Sequence, residues 1–350
     1  MPIYLHEKYS KQVQEAYRKE SVIKGLLSND YDFTGNKTVK VSTISTVPLV
    51  DYVRNGANRY GTPSELEDTV QELTLSQDKA FTFTIDKGNN ADQNGIKGAG
   101  KALHRQIKDR NVPLMDAYAL NVIAHKGGII FGGAAPTKTS IVERIADGTV
   151  ALDDGEVPST GRSLLISAAM YKLLRLSPEF IGNDKLAVES LKKGQVGEFD
   201  NMPVIKVPKG RWPEAVNFMI VHKDAGCIPV KLDDTKIHQD PPGLSGHLVE
   251  GRQYYDCFIL GTKSGGVYVD VDTGAGSIVA KPVIAIAANE ATITAVTGVT
   301  FKYTTDGTDP RYSVSAEVYS GDVTLTAGQT FKAYGEKNGS FPSAVDEKTN

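Results

Sequence analysis

Near the start of this chain two extended segments face each other across a polar turn, and what covers them governs the reading of the rest. From Lys37 the apolar residues fall at period two. Val39, Val41 and, after a slip, Ile44 alternate with Lys40, Ser42 and Thr43, and Val47-Pro48-Leu49-Val50 follows. The stretch Arg54-Asn55-Gly56-Ala57-Asn58-Arg59-Tyr60-Gly61-Thr62-Pro63 is turn chemistry carrying two arginines and a tyrosine. The chain returns through Val70, Leu73 and Leu75 to the alternation Phe81-Thr82-Phe83-Thr84-Ile85, closed by Asp86-Lys87-Gly88-Asn89-Asn90. A free two-stranded ribbon is marginal in water. This one therefore needs cover, from its own domain or from a neighbouring subunit; an ordinary hairpin within a larger sheet satisfies the same spacing.

Residues 5 to 28 read as a helical arm, with Val13, Ala16, Tyr17, Val22, Ile23, Leu26 and Leu27 at roughly helical spacing. A second helix is predicted over 93 to 125, with Ile96, Ala99, Leu103 and Ile107 on one face and Lys101, Arg105, Lys108 and Arg110 on the other. Pro113 lacks an N–H and its ring crowds the carbonyl four residues back, so a kink or restart is predicted there. Leu114, Ala117, Leu120 and Ile123 continue the stripe, and Gly127-Gly128 ends it. Residues 132 to 162 read as loop-rich, with room for a helix around Thr139 to Asp147. Strands at Ser163 to Ser167, Val204 to Val207, Phe218 to Val221, Tyr255 to Leu260 and Val267 to Val271 mix with a helix from Ala168 to Leu176. There is no βαβ rhythm, so the class is α+β. Beyond Ser277 to Pro282 helix signals vanish. Ala291 to Ile293, Val299 to Tyr303, Val323 to Leu325 and Phe331 to Tyr334 recur between Gly, Asp, Pro and Asn turns, the pattern of a small sandwich.

Motifs for chemistry fail on inspection. Gly132-Gly133-Ala134-Ala135-Pro136-Thr137-Lys138-Thr139 approaches a phosphate-binding loop, but Thr137 replaces the glycine before the lysine and Pro136 removes an amide donor. Gly98-Ala99-Gly100 lacks the third glycine of a dinucleotide fingerprint, Leu103 standing in its place. Gly243-Leu244-Ser245-Gly246-His247 misses the second glycine of a nucleophile elbow and follows Pro241-Pro242, so it reads as a plain turn. Asp270 and Asp272 share a strand face and, like Asp153-Asp154-Gly155-Glu156, read as solvated rather than metal-binding. The six histidines form no zinc pattern, and no carboxylate couple stands out. No catalytic, cofactor-binding or metal residue is assigned: the chain is read as not an enzyme. Net charge is −3, which leaves no global basic footprint for nucleic acid. Cys227 and Cys257 stand far apart without a CxxC partner and fit a reducing interior. Neither a secretion signal nor an apolar run near the ~18 to 20 residues of a membrane helix is visible, so a soluble product made in a cytoplasm is expected.

The first two-thirds of the chain resembles the major capsid proteins of tailed phages of Gram-positive bacteria, with the Hong Kong 97-type fold. The resemblance runs in order through several segments. They are Glu7-Lys8-Tyr9-Ser10-Lys11, Asn29-Asp30-Tyr31-Asp32-Phe33, Lys37-Thr38-Val39-Lys40-Val41, Thr46-Val47-Pro48-Leu49-Val50-Asp51-Tyr52 and Arg59-Tyr60-Gly61-Thr62-Pro63. Phe81 to Asn89, Ala99-Gly100-Lys101-Ala102-Leu103, Val112 to Tyr118 and Lys193 to Val204 follow. It implies an N-terminal arm (1–36), an extended β-hairpin loop reaching onto the adjacent subunit (37–90), a peripheral domain with a long spine helix (91–159), an axial domain (160–255), and a return strand to the peripheral domain with a linker (256–280). Arg54, Arg59, Tyr60, Phe81, Phe83 and Ile85 are then the candidate inter-subunit contacts of the extended loop, and Pro113, Gly127 and Gly128 the candidate hinges. Scaffolding is expected from a separate protein or from an extension already removed. Lys79 and Lys87 lie in the loop without a motif that singles either out, so the isopeptide cross-link of some relatives is not carried over.

Residues 281 to 345, within a domain bounded at 281–350, are similar to a different family. Phe301-Lys302-Tyr303-Thr304-Thr305-Asp306-Gly307-Thr308-Asp309-Pro310, Tyr319-Ser320-Gly321 and Thr330 to Gly335 resemble the small Ig-like β-sandwich at the C-terminus of chitobiases, an accessory module without catalytic residues. Together the resemblances imply a self-assembling structural protein of the virion. It would form homo-pentamers and homo-hexamers in an icosahedral shell around double-stranded DNA, held without sequence specificity. Scaffolding, portal and decoration proteins are the implied partners, and the host bacterial cytoplasm the place of assembly. The Ig-like domain would project outward, as decoration, shell stabiliser or weak glycan adhesin. An encapsulin-like protein-storage shell and a cell-surface glycan-binding protein are the alternatives.

Overall fold

A computed structural model describes residues 20–28, 33, 37–44, 46–47, 49–55, 58–63, 65, 68–92, 98–178 and 197–350. Strands β1 (Thr38–Ile44) and β2 (Asp68–Thr74) pair antiparallel from Thr38↔Thr74 to Ile44↔Asp68. β3 (Gln77–Asp86) follows, then the short helix α1 (Lys87–Asp92), α2 (Ala99–Gln106), a π-helical turn (Ile107–Asn111) and α3 (Val112–Lys126). Next come β4 (Ile129–Gly133), α4 (Ile141–Asp154), β5 (Arg162–Ser167), α5 (Ala168–Arg175), β6 (Glu198–Phe199), β7 (Met202–Val207), β8 (Val216–His222) and β9 (Gly226–Cys227). β10 (Val230–Gln239), β11 (Gly246–Tyr255), β12 (Phe258–Ile259) and β13 (Val267–Asp272) complete the body. The C-terminal part is all β: β14 (Ile284–Ala287), β15 (Glu290–Ile293), β16 (Thr300–Thr304), β17 (Glu317–Val318), β18 (Val323–Thr324), β19 (Thr330–Glu336) and β20 (Asp346–Thr349).

The body is organised by a mixed sheet in the order β4-β13-β8-β5-β7-β6. Its central strands read as near-continuous apolar runs because both faces are covered. On one face, Met219, Val221, Val267, Val269 and Val271 pack against Leu120 and Ile123 of α3 and against Ile23, Leu26 and Leu27. On the other, Phe218, Ile220 and Tyr268 pack against Ile141, Ile145 and Leu152 of α4 and Leu174 of α5. The β-domain has its own core, around Phe301, Leu325, Phe331 and Ala333, between sheets β14-β15-β18 and β17-β16-β19-β20. Among the described residues no helix is long and apolar enough to cross a membrane.

Several expectations are corrected. Residues 20–28 form turns, not a helix; their apolar residues reach the core without helical periodicity, while residues 1–19 lie outside the described set. The start of the second helix at 93–97 also lies outside it. The ribbon's return strand divides: β2 pairs with β1, but β3 pairs with β11, from Gln77↔Tyr255 to Asp86↔Gly246. The break falls where Leu73 and Leu75 plunge into a small core with Phe33, Cys227 and Leu260, and where the Ser76 amide donates to the Asp256 carboxylate at 2.7 Å. The residues that close the strand, from Lys87, open the short helix α1. Residues 132 to 162 hold α4, longer than the span allowed for a helix there.

Asp270 is not solvated but fully buried. Arg144 donates to its Oδ2 through Nε and Nη2 at 3.0 and 2.6 Å, and Asn217 donates to Oδ1 at 2.7 Å. Burial pushes the Asp270 carboxyl up, against the pull of the Asn217 and Arg144 bonds. Pro113 sits in the first turn of α3, and the backbone on either side of the π turn stays in the right-handed helical region. The π turn covers Asp109, the residue whose carbonyl the proline ring would crowd, so the register change absorbs the proline.

Candidate functional site

The base of the ribbon is fixed by residues of the body. Gln71 donates to the Ile259 carbonyl and accepts from the Gly261 amide, both at 2.9 Å. Buried Asp256 collects the Ser76 amide, the Cys257 amide and the Tyr118 hydroxyl, each at 2.7 Å, which ties the ribbon to α3. Burial, together with the Asp256 charge, pushes the Tyr118 hydroxyl up to about 12. Away from this base the ribbon loses cover. Ile44 is 66% exposed, Leu49 101% and Tyr60 85%, with Val47, Val50, Tyr52 and Val53 exposed beside them. These exposed apolar side chains fall close together in sequence, on the segment from the end of β1 to the tip.

The tip has internal order. The Val53 amide donates to the Arg59 carbonyl at 3.1 Å, the Gly61 amide to the Asn58 carbonyl at 2.9 Å, and Tyr52 and Tyr60 meet edge to face at 5.0 Å. Arg54 and Arg59 are exposed at this tip with Tyr60. The structure therefore brings those three together but sets Phe81, Phe83 and Ile85 apart, on β3. Phe81 and Phe83 stack at 6.3 Å, and a side chain on the facing Gly251 would collide with the Phe81 ring. Ile85 is buried. The opposite face of this sheet carries an open groove of about 540 Å³ bordered by Ala80, Thr82, Asp234, Lys236, Glu250 and Arg252. Arg252 pairs bidentately with Asp78 at 2.9 and 2.6 Å, and its hydrogen bond holds the Asp78 carboxyl below the usual carboxylate range.

The glycines at the end of α3 are tightly packed. A side chain at Gly127 would lie 2.9 Å from Val267 Cγ1, and one at Gly128 would overlap the Ser264 backbone, whose carbonyl accepts the Gly128 amide at 2.9 Å. Of the motifs set aside, Thr137 and Ser140 begin α4 through a Thr137 amide to Ser140 hydroxyl bond at 3.0 Å, and Gly243 turns the β10–β11 hairpin at φ +82°. Among the described residues no group of three or more acidic, histidine or cysteine side chains could hold a metal ion.

The body superposes on solved chains at low identity. One from Mycobacterium phage Che8 gives a TM-score of 0.63 at 17% identity, covering 77% of this chain and 98% of that one. The capsid structure of the cyanophage P-SCSP1u gives 0.63 at 13%, covering 76% and 92%. The fold is the Hong Kong 97 type. The mature capsid of bacteriophage PhiM1 agrees, with a TM-score of 0.60 at 12% identity and coverage of 77% and 92%. Beyond this Hong Kong 97-type body, residues 286–347 match the family described as the chitobiase/beta-hexosaminidase C-terminal domain, the Ig-like module. No curated protein sequence matches the chain.

The residues that sequence reasoning missed are buried acids acting as anchors: Asp116, Asp256 and Asp270. Tyr254-Tyr255-Asp256-Cys257-Phe258 and Val267-Tyr268-Val269-Asp270-Val271 each set one carboxylate among apolar neighbours, and that isolation is the signal that could have found two of them.

Proposed function

We propose that this chain is the major capsid protein of a tailed phage, a structural subunit that assembles as pentamers and hexamers into an icosahedral, DNA-filled head. The observation that carries the reading is the likeness of the body, over more than nine-tenths of their length, to chains from phage capsids. The ribbon tip supports it, because an apolar surface that its own subunit leaves wet gains cover when copies interlock. Burying side chains such as Leu49 is worth about 1.5–3 kcal/mol each.

In this reading Arg54, Arg59 and Tyr60 anchor the tip on the neighbour, since arginine and tyrosine are enriched among interface hot spots. Phe81, Phe83 and Ile85 stiffen the strand from which the loop departs. Residues 1–36, 37–90, 91–159, 160–255 and 256–280 serve as arm, extended loop, peripheral domain, axial domain and return strand. Pro113 is the joint that lets one sequence close rings of five and six. The Ig-like domain faces outward, and scaffold, portal and decoration proteins are the partners in the virion.

Negative-stain microscopy of the expressed chain, alone and with a co-expressed scaffold, tests this. Closed shells are the expected result. A monodisperse monomer under both conditions would contradict it, and shells filled with peptide cargo rather than DNA during infection would transfer the chain to the storage-shell class.

A further inference from the structure

Among the described residues the Ig-like domain meets the body around the C-terminal end of α3 and the neighbouring Gly261 segment. A helix leaves its last carbonyl groups without intrahelical partners and concentrates negative partial charge there. Here the carbonyl of Lys126 and, just past the helix, those of Gly127 and Gly128 accept hydrogen bonds from the β-domain. Arg311 Nη1 donates to the carbonyls of Gly128 at 3.0 Å and Gly127 at 3.4 Å, and the Tyr312 hydroxyl donates to the carbonyl of Lys126. The guanidinium is held for this task by Asp309, which accepts from Nε at 3.1 Å and from Nη2 at 2.7 Å. Asp309 also turns the chain, its backbone carbonyl accepting the amides of Tyr312 and Ser313 at 3.1 Å.

Two further contacts fasten the same end. Phe341 stacks on His125 at 4.4 Å with 10° between the planes, and it is buried in the core of the body rather than in that of its own domain. The linker pairs with it: the Phe341 amide donates to the Ser277 carbonyl at 2.8 Å and the Val279 amide to the Phe341 carbonyl at 3.0 Å.

We infer that the Ig-like domain is a clamp on the α3 terminus, locking the Gly127-Gly128 junction through Arg311 and Tyr312, and not a freely tethered appendage. The Asp306-Gly307-Thr308-Asp309-Pro310 turn is thus the device that presents the cap. Domains joined by a linker move relative to one another by default unless a substantial interface prevents it. The clamp exists within one chain and does not depend on the capsid reading.

Spin labels on the full-length chain test it. Val150→Cys on α4 and Val318→Cys on the β-domain place labels at exposed positions, while native Cys227 and Cys257 are buried and escape labelling. Labelled chain is diluted with unlabelled chain so that only intramolecular distances are read. The clamp gives a narrow distance distribution in this parent. It broadens in Arg311→Gln/Tyr312→Phe and also in Gly261→Val, where the new side chain would meet Tyr312 Cβ at 2.9 Å and wedge the contact apart without altering the β-domain. Widening by about twofold or more is expected, as docking gives way to linker-limited motion. A distribution already broad in the parent, or one that stays narrow in both variants, would overturn the proposal.

Discussion

Leu49 and Asp116 mark opposite extremes of what a single residue does here. Leu49 touches almost nothing of its own subunit, being fully exposed at the tip. Leu49→Asp should therefore leave monomer unfolding within about 0.5 kcal/mol of the parent in urea, while shell yield by sedimentation collapses. Equal loss of both would mean that the tip is structural within the subunit. Asp116 lies at the centre of a buried cluster: Arg211 donates to it at 2.6 Å, Ser21 at 2.8 Å and the Val22 amide at 3.1 Å. Asp116→Ala strands the Arg211 charge and should cost about 3–5 kcal/mol in urea unfolding. A cost below about 1 kcal/mol, the level of an exposed pair, would show that Arg211 finds other partners.

At the scale of elements, β3 and β11 depend on a fit between an aromatic ring and a bare backbone. Gly251→Val forces the Phe81 ring off its strand and should destabilise by about 1–3 kcal/mol as overpacking, read as a lower urea midpoint. An unchanged midpoint would mean that the ring swings away freely. Elements with a one-sided or continuous apolar pattern were legible in the sequence. β5, β8 and β13 read as strands because they bury apolar residues on both faces of the sheet, and α3 read as a helix ending at Gly127 because it buries one stripe. The β10–β11 hairpin was not: Lys231, Asp233, Asp234, Lys236 and His238 leave β10 without a period-two apolar signal, since most of that edge strand faces solvent. The division of the ribbon was hidden for another reason. Alternation shows that Phe81, Phe83 and Ile85 form a strand, but its partner lies more than 160 positions away, at His247 to Gly251, and local pattern carries no information about sheet membership. At the candidate site, the tip residues could be found because turn chemistry interrupts two strands, whereas the acids that fix its base act through burial, which appears only in three dimensions.

The whole molecule is a Hong Kong 97-type body with an Ig-like domain set against its central helix, and acid should weaken the strands that carry this contact. Glu336 of β19 is partly buried, which raises its carboxyl, but hydrogen bonds from Lys302 and Tyr334 and the charges of Lys302 and Lys126 bring the net value below the usual carboxylate range. A depressed folded value stabilises the fold fully above the unfolded pKa, about 4.3 for glutamate, and that contribution is lost as pH falls through the folded value. Glu336→Gln should therefore flatten this part of the acid limb in urea midpoints measured from pH 6 down to about pH 3. An acid limb identical to the parent's would remove Glu336 from the account.

The larger claim is that a second copy covers the ribbon tip. A photo-reactive phenylalanine analogue in place of Leu49, activated in assembled particles, tests it directly. Covalent dimers are expected, with the adduct mapped to the body of another chain. Adducts confined within the same chain, with dimers no more abundant than in unassembled protein, would contradict it.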